Sequence, residues 1–364
     1  AQGGGARALV PGAVVAAAVG ALSSPGAAVI VGPAAVALVA ALFDGLRSVR
    51  GPMRAPILGA IPCVIAGLLF GHAYSARVLA CPDVDGGAIR RLAESSEIFR
   101  LAPGAGGTLA LSLRAEGNIG SLGPSGQTLT GADPSPGTPE ELVYAPSRDV
   151  YFASMVPDHS EDYSSGPDAP NNLIVMLSAD AQRILRTTAI TDLCWINTLR
   201  WSDPEDLLYI GCEDRPGLHR WDPDTGLRDG STDPRLGDVQ DIALSEDGAR
   251  AWTISLWFSR SLTELRRDDL SILRQTPIGG THYHLAHDPT QGRLYASSFY
   301  GGRVRVIDAE TLEKRASLPA GFGTREVVVE PGRHLLLASS TYDGRLWIWS
   351  TDDPDAPRPL GSVA

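Results

Sequence analysis

Hydrophobic and polar positions divide the chain into two regimes. Up to about residue 80, apolar residues run almost unbroken from Ala8 to Leu22, from Ala27 to Phe43 and from Ala55 to Leu79, with a polar interruption near His72. The second and third runs are long enough for the ~20 residues that a bilayer core requires of a helix, and the first is shorter. Beyond Asp83 the pattern changes to short alternating segments such as VRVI and LWIW, separated by Gly, Pro and Asp, which is the period of half-buried strands. The first regime predicts about three transmembrane α-helices, at residues 8–22, 27–43 and 55–79, in an anchor spanning 1–80. The second predicts an all-β domain over 81–364.

A secretory signal peptide also has a short apolar core and is the alternative for the first run. The Ser23-Ser24-Pro25-Gly26 turn leads straight into more apolar sequence, which fits two helices packed as a hairpin. The loop from Leu46 to Ala55 carries Arg47, Arg50 and Arg54 against one nearby acid, Asp44. Short Arg-rich loops stay cytoplasmic, so the third helix delivers the rest of the chain to the periplasmic or extracellular side. His72 and Arg77, late in that helix, read as interfacial residues.

The all-β part repeats. Tyr209, Trp252, Tyr295 and Leu337 occupy the same place in successive units, 43, 43 and 42 residues apart, and Leu109 and Tyr151 mark two more copies 42 residues apart. One interval is longer, 58 residues, and its excess matches a polar insertion from Pro157 to Pro170. A period of about 40–45 residues with four short strands per unit is that of a propeller blade. In the fifth unit His284–His287 reads as inner strand A, Arg293–Ser298 as B, Arg303–Ile307 as C and Arg315–Leu318 as D. Turns at Asp288-Pro289, Gly301-Gly302 and Asp308 to Thr311 separate them. The expectation is a six-bladed β-propeller, with seven blades as the alternative. The ring closes either by a last strand near Arg358 to Val363 or by Ala88 to Leu92 pairing with the last blade.

The stretches GGTHYHLAHDPTQGRLYA, RLYASS, GGRVRVIDAETLEKRASLPAG and LLLASSTYDGRLWIWST resemble the YVTN or YncE-like propellers, cousins of WD40 repeats. The resemblance spans Ile89 to Val363 at the level of the repeat. The Trp-Asp ending of WD40 blades occurs at Trp221-Asp222 alone. The resemblance implies the fold, and it implies little about activity.

A net charge of -11 with no Lys/Arg cluster argues against nucleic acid, whose phosphates demand clustered cations. There is no Cys-x-x-Cys-His, no Gly-x-Ser-x-Gly, no Walker loop and no His-Glu-x-x-His. In a propeller the loops entering each strand A line one channel rim. The matching position in the six copies holds Glu97, Glu141, Asn197, Gln240, Tyr283 and Arg325, with Asp241, His282, His284 and Glu326 beside them. Converging carboxylates and amides can hold Ca²⁺, as in calcium-dependent propeller lactonases, and otherwise make a hydrated rim. His282 and His284, two apart on a strand, can share a metal or act as hydrogen-bonded rim residues. Cys194 and Cys212 fall at similar heights in one blade and are the disulfide candidate.

These readings lead to a membrane-anchored, extracytoplasmic binding or scaffold module without a catalytic signature, for a protein or small-ligand partner at the propeller face. The alternatives are a metal-dependent, lactonase-like hydrolase using the rim carboxylates and histidines, and an accessory subunit of a membrane complex held by the helices. The acidic insertion, with His159, Glu161, Asp162 and Asp168, reads as a solvated loop or a docking loop.

Overall fold

The computed structural model describes residues 98–113, 117–122, 129–131, 136–157, 172–190, 193–255 and 260–363. The expected membrane segments, the boundary near residue 80, Glu97, Ala88 to Leu92 and most of the acidic insertion lie outside them. Among the described residues no helix is long and apolar enough to cross a membrane.

Six four-stranded antiparallel sheets follow one another along the chain. Blade one is β1 (Ile98–Pro103), β2 (Leu109–Leu113), β3 (Asn118–Leu122) and β4 (Leu129–Gly131). Blade two is β5 (Gly137–Ala145), β6 (Val150–Pro157), β7 (Asn172–Ser178) and β8 (Ile184–Ile190). Blade three is β9 (Ile196–Ser202), β10 (Leu207–Cys212), β11 (Leu218–Asp222) and β12 (Gly226–Ser231). Blade four is β13 (Val239–Leu244), β14 (Arg250–Ser255), β15 (Ser261–Arg266) and β16 (Ile272–Pro277). Blade five is β17 (His282–Asp288), β18 (Arg293–Ser298), β19 (Arg303–Asp308) and β20 (Lys314–Pro319). Blade six is β21 (Thr324–Glu330), β22 (Leu335–Ser340), β23 (Arg345–Ser350) and β24 (Arg358–Val363). The first strand of each blade packs on the first strand of the next, so these six line the axis. The protein is a six-bladed β-propeller, and all four strands of its fifth blade overlap those read from the sequence.

The repeat marker is a packing residue. Tyr151, Tyr209, Trp252 and Tyr295 sit in β6, β10, β14 and β18 and are fully buried. A large ring in the second strand fills the wedge between neighbouring blades, which is why an aromatic recurs at the repeat period. The outer hairpins turn on aspartates that accept a backbone N–H two residues ahead: Asp180 from Gln182, Asp222 from Asp224, Asp269 from Ser271, Asp308 from Glu310 and Asp353 from Asp355. This local turn fixes the register between third and fourth strands in five blades.

Apolar clusters join blades one and two around Tyr151, two and three around Phe152 and Trp221, three and four around Tyr209, four and five around Trp252, and five and six around Trp347 and Trp349. At the last junction the chain's two ends do not share a sheet. β24 supplies the outer strand of blade six and β1 the inner strand of blade one. Across this seam Arg100 of β1 forms an ion pair with Glu326 of β21.

Candidate functional site

Each inner strand sends one polar side chain to the axis: Arg100, Glu141, Arg200, Asp241, His284 and Glu326, one per blade. Arg100 Nε donates to Glu141 Oε1 at 2.6 Å. Arg200 Nη2 lies 2.7 Å from Asp241 Oδ1 and 2.9 Å from His284 Nε2, and that nitrogen is 3.1 Å from Glu326 Oε2. The Arg100–Glu326 pair links these two groups into one chain of contacts running from Glu141 to Asp241.

Strand irregularities put these residues there. In blades two, five and six the ladder between the first two strands slips by a bulge, between Pro139 and Leu142, His282 and Leu285, and Thr324 and Val327. A bulge leaves a backbone N–H without its ladder partner and re-aims the side chain. In each case a serine hydroxyl on the second strand accepts that N–H: Ser154 from Glu141, Ser297 from His284 and Ser339 from Glu326.

Asp241 ties three blades together. Its oxygens accept from Thr198 Oγ1 and Arg200 in blade three and from the Leu285 N–H in blade five. Full burial pushes its carboxyl up, but Arg200 and the further partners outweigh this and hold it below the usual carboxylate range. For Glu141 the balance is reversed, and burial raises it despite Arg100. His284 is pushed down to about 3, first by burial and then by Arg200 and Arg100, against the pull of Asp241. The imidazole is therefore neutral despite the carboxylates beside it. Its Nε2 sits between the Arg200 guanidinium, which only donates, and the Glu326 carboxylate, which only accepts.

The sequence-derived rim residues within the described chain divide among four environments. Glu141, Asp241, His284 and Glu326 meet at the axis. Asn197 and Gln240 bond to each other at 3.4 Å. His282 is turned away from His284, with Nδ1 at 2.8 Å from the Ser297 carbonyl and Nε2 at 2.6 Å from the Gly279 carbonyl, because the bulge breaks the alternation that would put both on one face. Burial pushes His282 down to about 4. Tyr283 and Arg325 leave the axis and stack, with the guanidinium 5.7 Å from the ring centre. Pairing of β1 with β2 gives Arg100 the place in blade one that Glu141 holds in blade two, three residues beyond Glu97.

Arg100 and Arg200 are the ring members that the sequence reading missed, and they change its chemistry. Each carboxylate already faces a fixed cation, so the oxygen atoms a Ca²⁺ ion would take are engaged by arginine. The ring binds blade to blade.

A second feature lies on the face of the propeller where the chain enters each blade's first strand from the outer strand of the blade before. Phe299 and Tyr300 follow β18, Phe322 precedes β21 and Tyr342 follows β22. Phe322 stacks on Tyr342 with centroids 5.2 Å apart, Phe299 lies 5.6 Å from Tyr342 and 5.1 Å from Tyr300, and Tyr283 is 4.8 Å from Phe299. Phe299 is buried, whereas Tyr300, Phe322 and Tyr342 are 56%, 40% and 51% exposed. The backbone beneath is held firmly. Phe322 N–H donates to Asp343 Oδ2 at 2.8 Å, its carbonyl accepts from Ser340 Oγ at 2.9 Å, and Gly323 N–H donates to the Phe299 carbonyl at 3.0 Å. Gly321 and Gly323 flank Phe322 with φ of 79° and 80°, a conformation that favours glycine. A Cβ on Gly323 would also come within 2.6 Å of the Tyr342 ring.

Cys194 and Cys212 form a disulfide, with Cα atoms 5.6 Å apart. It pins the segment entering β9 to the end of β10.

No protein-family model matches the chain, and no curated protein matches it by sequence. Its fold is similar to that of a chain in the crystal structure of the mitotic checkpoint complex, with a TM-score of 0.59 at 13% identity over 78% of this chain and 86% of that one. At that identity the likeness bears on the fold alone.

Proposed function

We propose that this protein is a membrane-tethered propeller on the periplasmic or extracellular side that binds a protein partner through the aromatic face of blades five and six. The observation that carries the reading is the platform of Tyr300, Phe322 and Tyr342. Three exposed rings side by side are costly to leave in water, and a fixed backbone means little ordering is lost when a partner covers them. Tyr and other aromatic residues are the usual anchors of protein interfaces, and Arg325 supplies a polar rim beside them. A propeller fold is suited to this scaffold role, and the similar fold in the mitotic checkpoint complex belongs to a protein assembly. The YVTN-like wording of blades five and six supports kinship with YncE-like propellers, and the apolar N-terminal runs with their Arg-rich loop support the tether and its orientation.

Engagement of the axial carboxylates by Arg100 and Arg200 favours binding over metal-assisted hydrolysis. The test is affinity purification of the full chain from its native membranes, beside a Tyr300→Ser, Phe322→Ser, Tyr342→Ser variant. The expected result is a stoichiometric partner on the parent chain that the variant loses while keeping its melting temperature. Equal recovery from both would overturn the assignment of the face, and a small ligand released from the parent chain in place of a protein would overturn the partner class.

A further inference from the structure

We infer that Cys194, Cys212 and His219 form a second site, which takes a soft transition-metal ion of the Zn²⁺ or Cu⁺ class once the disulfide is reduced. The cysteine sulfurs and a ring nitrogen of His219 all lie within 4.8 Å of one another, and all three residues are buried. They come together through strand pairing. Cys212 ends β10, His219 follows the start of β11, and Cys194 lies just before β9, which pairs with β10 on its other side.

His219 is the independent observation. Its side chain belongs to a residue only 8% exposed, and Nε2 is buried without a hydrogen-bond partner. Buried polar atoms are almost always satisfied, so an orphaned imidazole nitrogen next to two sulfurs calls for a ligand. The surroundings are cleared for it. A Cβ at Gly230 would come within 2.1 Å of His219 Nδ1, and one at Gly217 within 2.9 Å of Nε2 and 2.8 Å of Cys212 Sγ.

Two thiolates and an imidazole suit Zn²⁺ or Cu⁺ and are a poor set for Ca²⁺ or Mg²⁺. Zn–S bonds of about 2.3 Å in a tetrahedral site separate the sulfurs by ~3.8 Å, a change that side-chain rotation at two cysteines supplies once the bond is open. Opening requires two electrons and two protons. A dithiol reductant supplies both: its thiolate attacks one sulfur, the mixed disulfide resolves to a cyclic disulfide of the reductant, and two protein thiols remain. Metal binding then displaces the two thiol protons to solvent. The chain gives three ligands and leaves the fourth position to water or an exogenous ligand. Disulfide and metal are mutually exclusive at this place.

The experiment uses the full chain in detergent with the two remaining cysteines of its four, Cys63 and Cys81, changed to serine, reduced by a phosphine under anaerobic conditions and titrated with Co²⁺ and then Zn²⁺. Expected are thiolate-to-cobalt charge-transfer and tetrahedral ligand-field bands that saturate at one ion per chain and disappear on Zn²⁺ addition, with no uptake by the oxidised protein. His219→Ala should weaken Zn²⁺ affinity at least tenfold, and His219→Gln, which keeps a side chain in the slot, should do the same without loss of the far-ultraviolet circular dichroism of the fold. The inference is overturned by reduced protein that takes up no ion, by protein that unfolds on reduction before binding, or by a His219→Gln chain that binds as tightly as its parent.

Discussion

Arg100 and Glu326 face one another across the junction between the first and last blades, and their ion pair joins the two ends of the propeller at the axis. The other five junctions are filled by apolar clusters that span neighbouring blades. Arg100 also neutralises Glu141, so one guanidinium serves the seam and the next blade. Removing one partner of a buried pair costs more than the pair contributes, because the remaining charge stays in low dielectric. Arg100→Met, which leaves Glu141 and Glu326 without their shared cation, is expected to lower unfolding stability by about 3–5 kcal/mol. Urea denaturation checks it, and an unchanged midpoint would mean that the seam is held by other contacts.

The histidines set a pH dependence with a definite sign. His284 and His282 are pushed down to about 3 and about 4 from an ordinary 6.5, both chiefly by burial. Between those values and 6.5 the unfolded chain binds protons that the folded chain refuses, so stability falls as the solution is acidified, by about 1.4 kcal/mol per pH unit for each histidine. Asp241, held low in the fold, adds a loss of the same sign once the pH passes below the ordinary carboxylate range. Stability measured from pH 7 to pH 4.5 is expected to slope downward, and His284→Gln to flatten the curve. An unaltered slope in that variant would show that His284 does not titrate in this way.

Cys194 and Cys212 are 18 residues apart in sequence, and closing a loop of that size stabilises a fold by about 3 kcal/mol. Reduction, or a Cys194→Ser, Cys212→Ser double substitution, should lower the melting temperature measurably in a metal-free buffer. Addition of Zn²⁺ should restore part of the loss to the reduced chain and none to the double variant.

Orientation is open to direct labelling. Asp353 is exposed in the turn between β23 and β24. With Cys63→Ser and Cys81→Ser as background, Asp353→Cys is expected to react with a membrane-impermeant maleimide in intact cells, or in cells whose outer membrane alone has been opened. Labelling only after full lysis would put the propeller in the cytoplasm.

The features legible in the sequence are those that recur with the blade. Tyr151, Tyr209, Trp252 and Tyr295 announce the period because the second strand of four blades buries a large ring, and the turn aspartates announce the hairpins. The axial ring was half legible. Glu141, Asp241, His284 and Glu326 lie at or beside the expected rim position, but Arg200 reaches the axis from further along its strand with a long side chain, and Arg100 stands three residues past Glu97. Bulges, which no periodicity reveals, are what misalign these registers. The aromatic face went unread because Phe299, Tyr300, Phe322 and Tyr342 sit in glycine-rich turns, where pattern reading expects polar residues. A more telling signal was there in FYGG, GFG and TYDG, aromatic residues beside glycines at loop tips. His219 carries no signal of its own, since only the pairing of β10 with β11 brings it to the cysteines.

Site-specific photocrosslinking tests the binding reading most directly. The photoreactive residue p-benzoylphenylalanine is placed singly at Phe322, at Tyr342 and, on the opposite face of the propeller, at Asp353, in the full chain expressed in its native membranes. The account predicts one and the same protein adduct from Phe322 and Tyr342 and none from Asp353. An adduct from Asp353 with none from the two aromatic positions would contradict it.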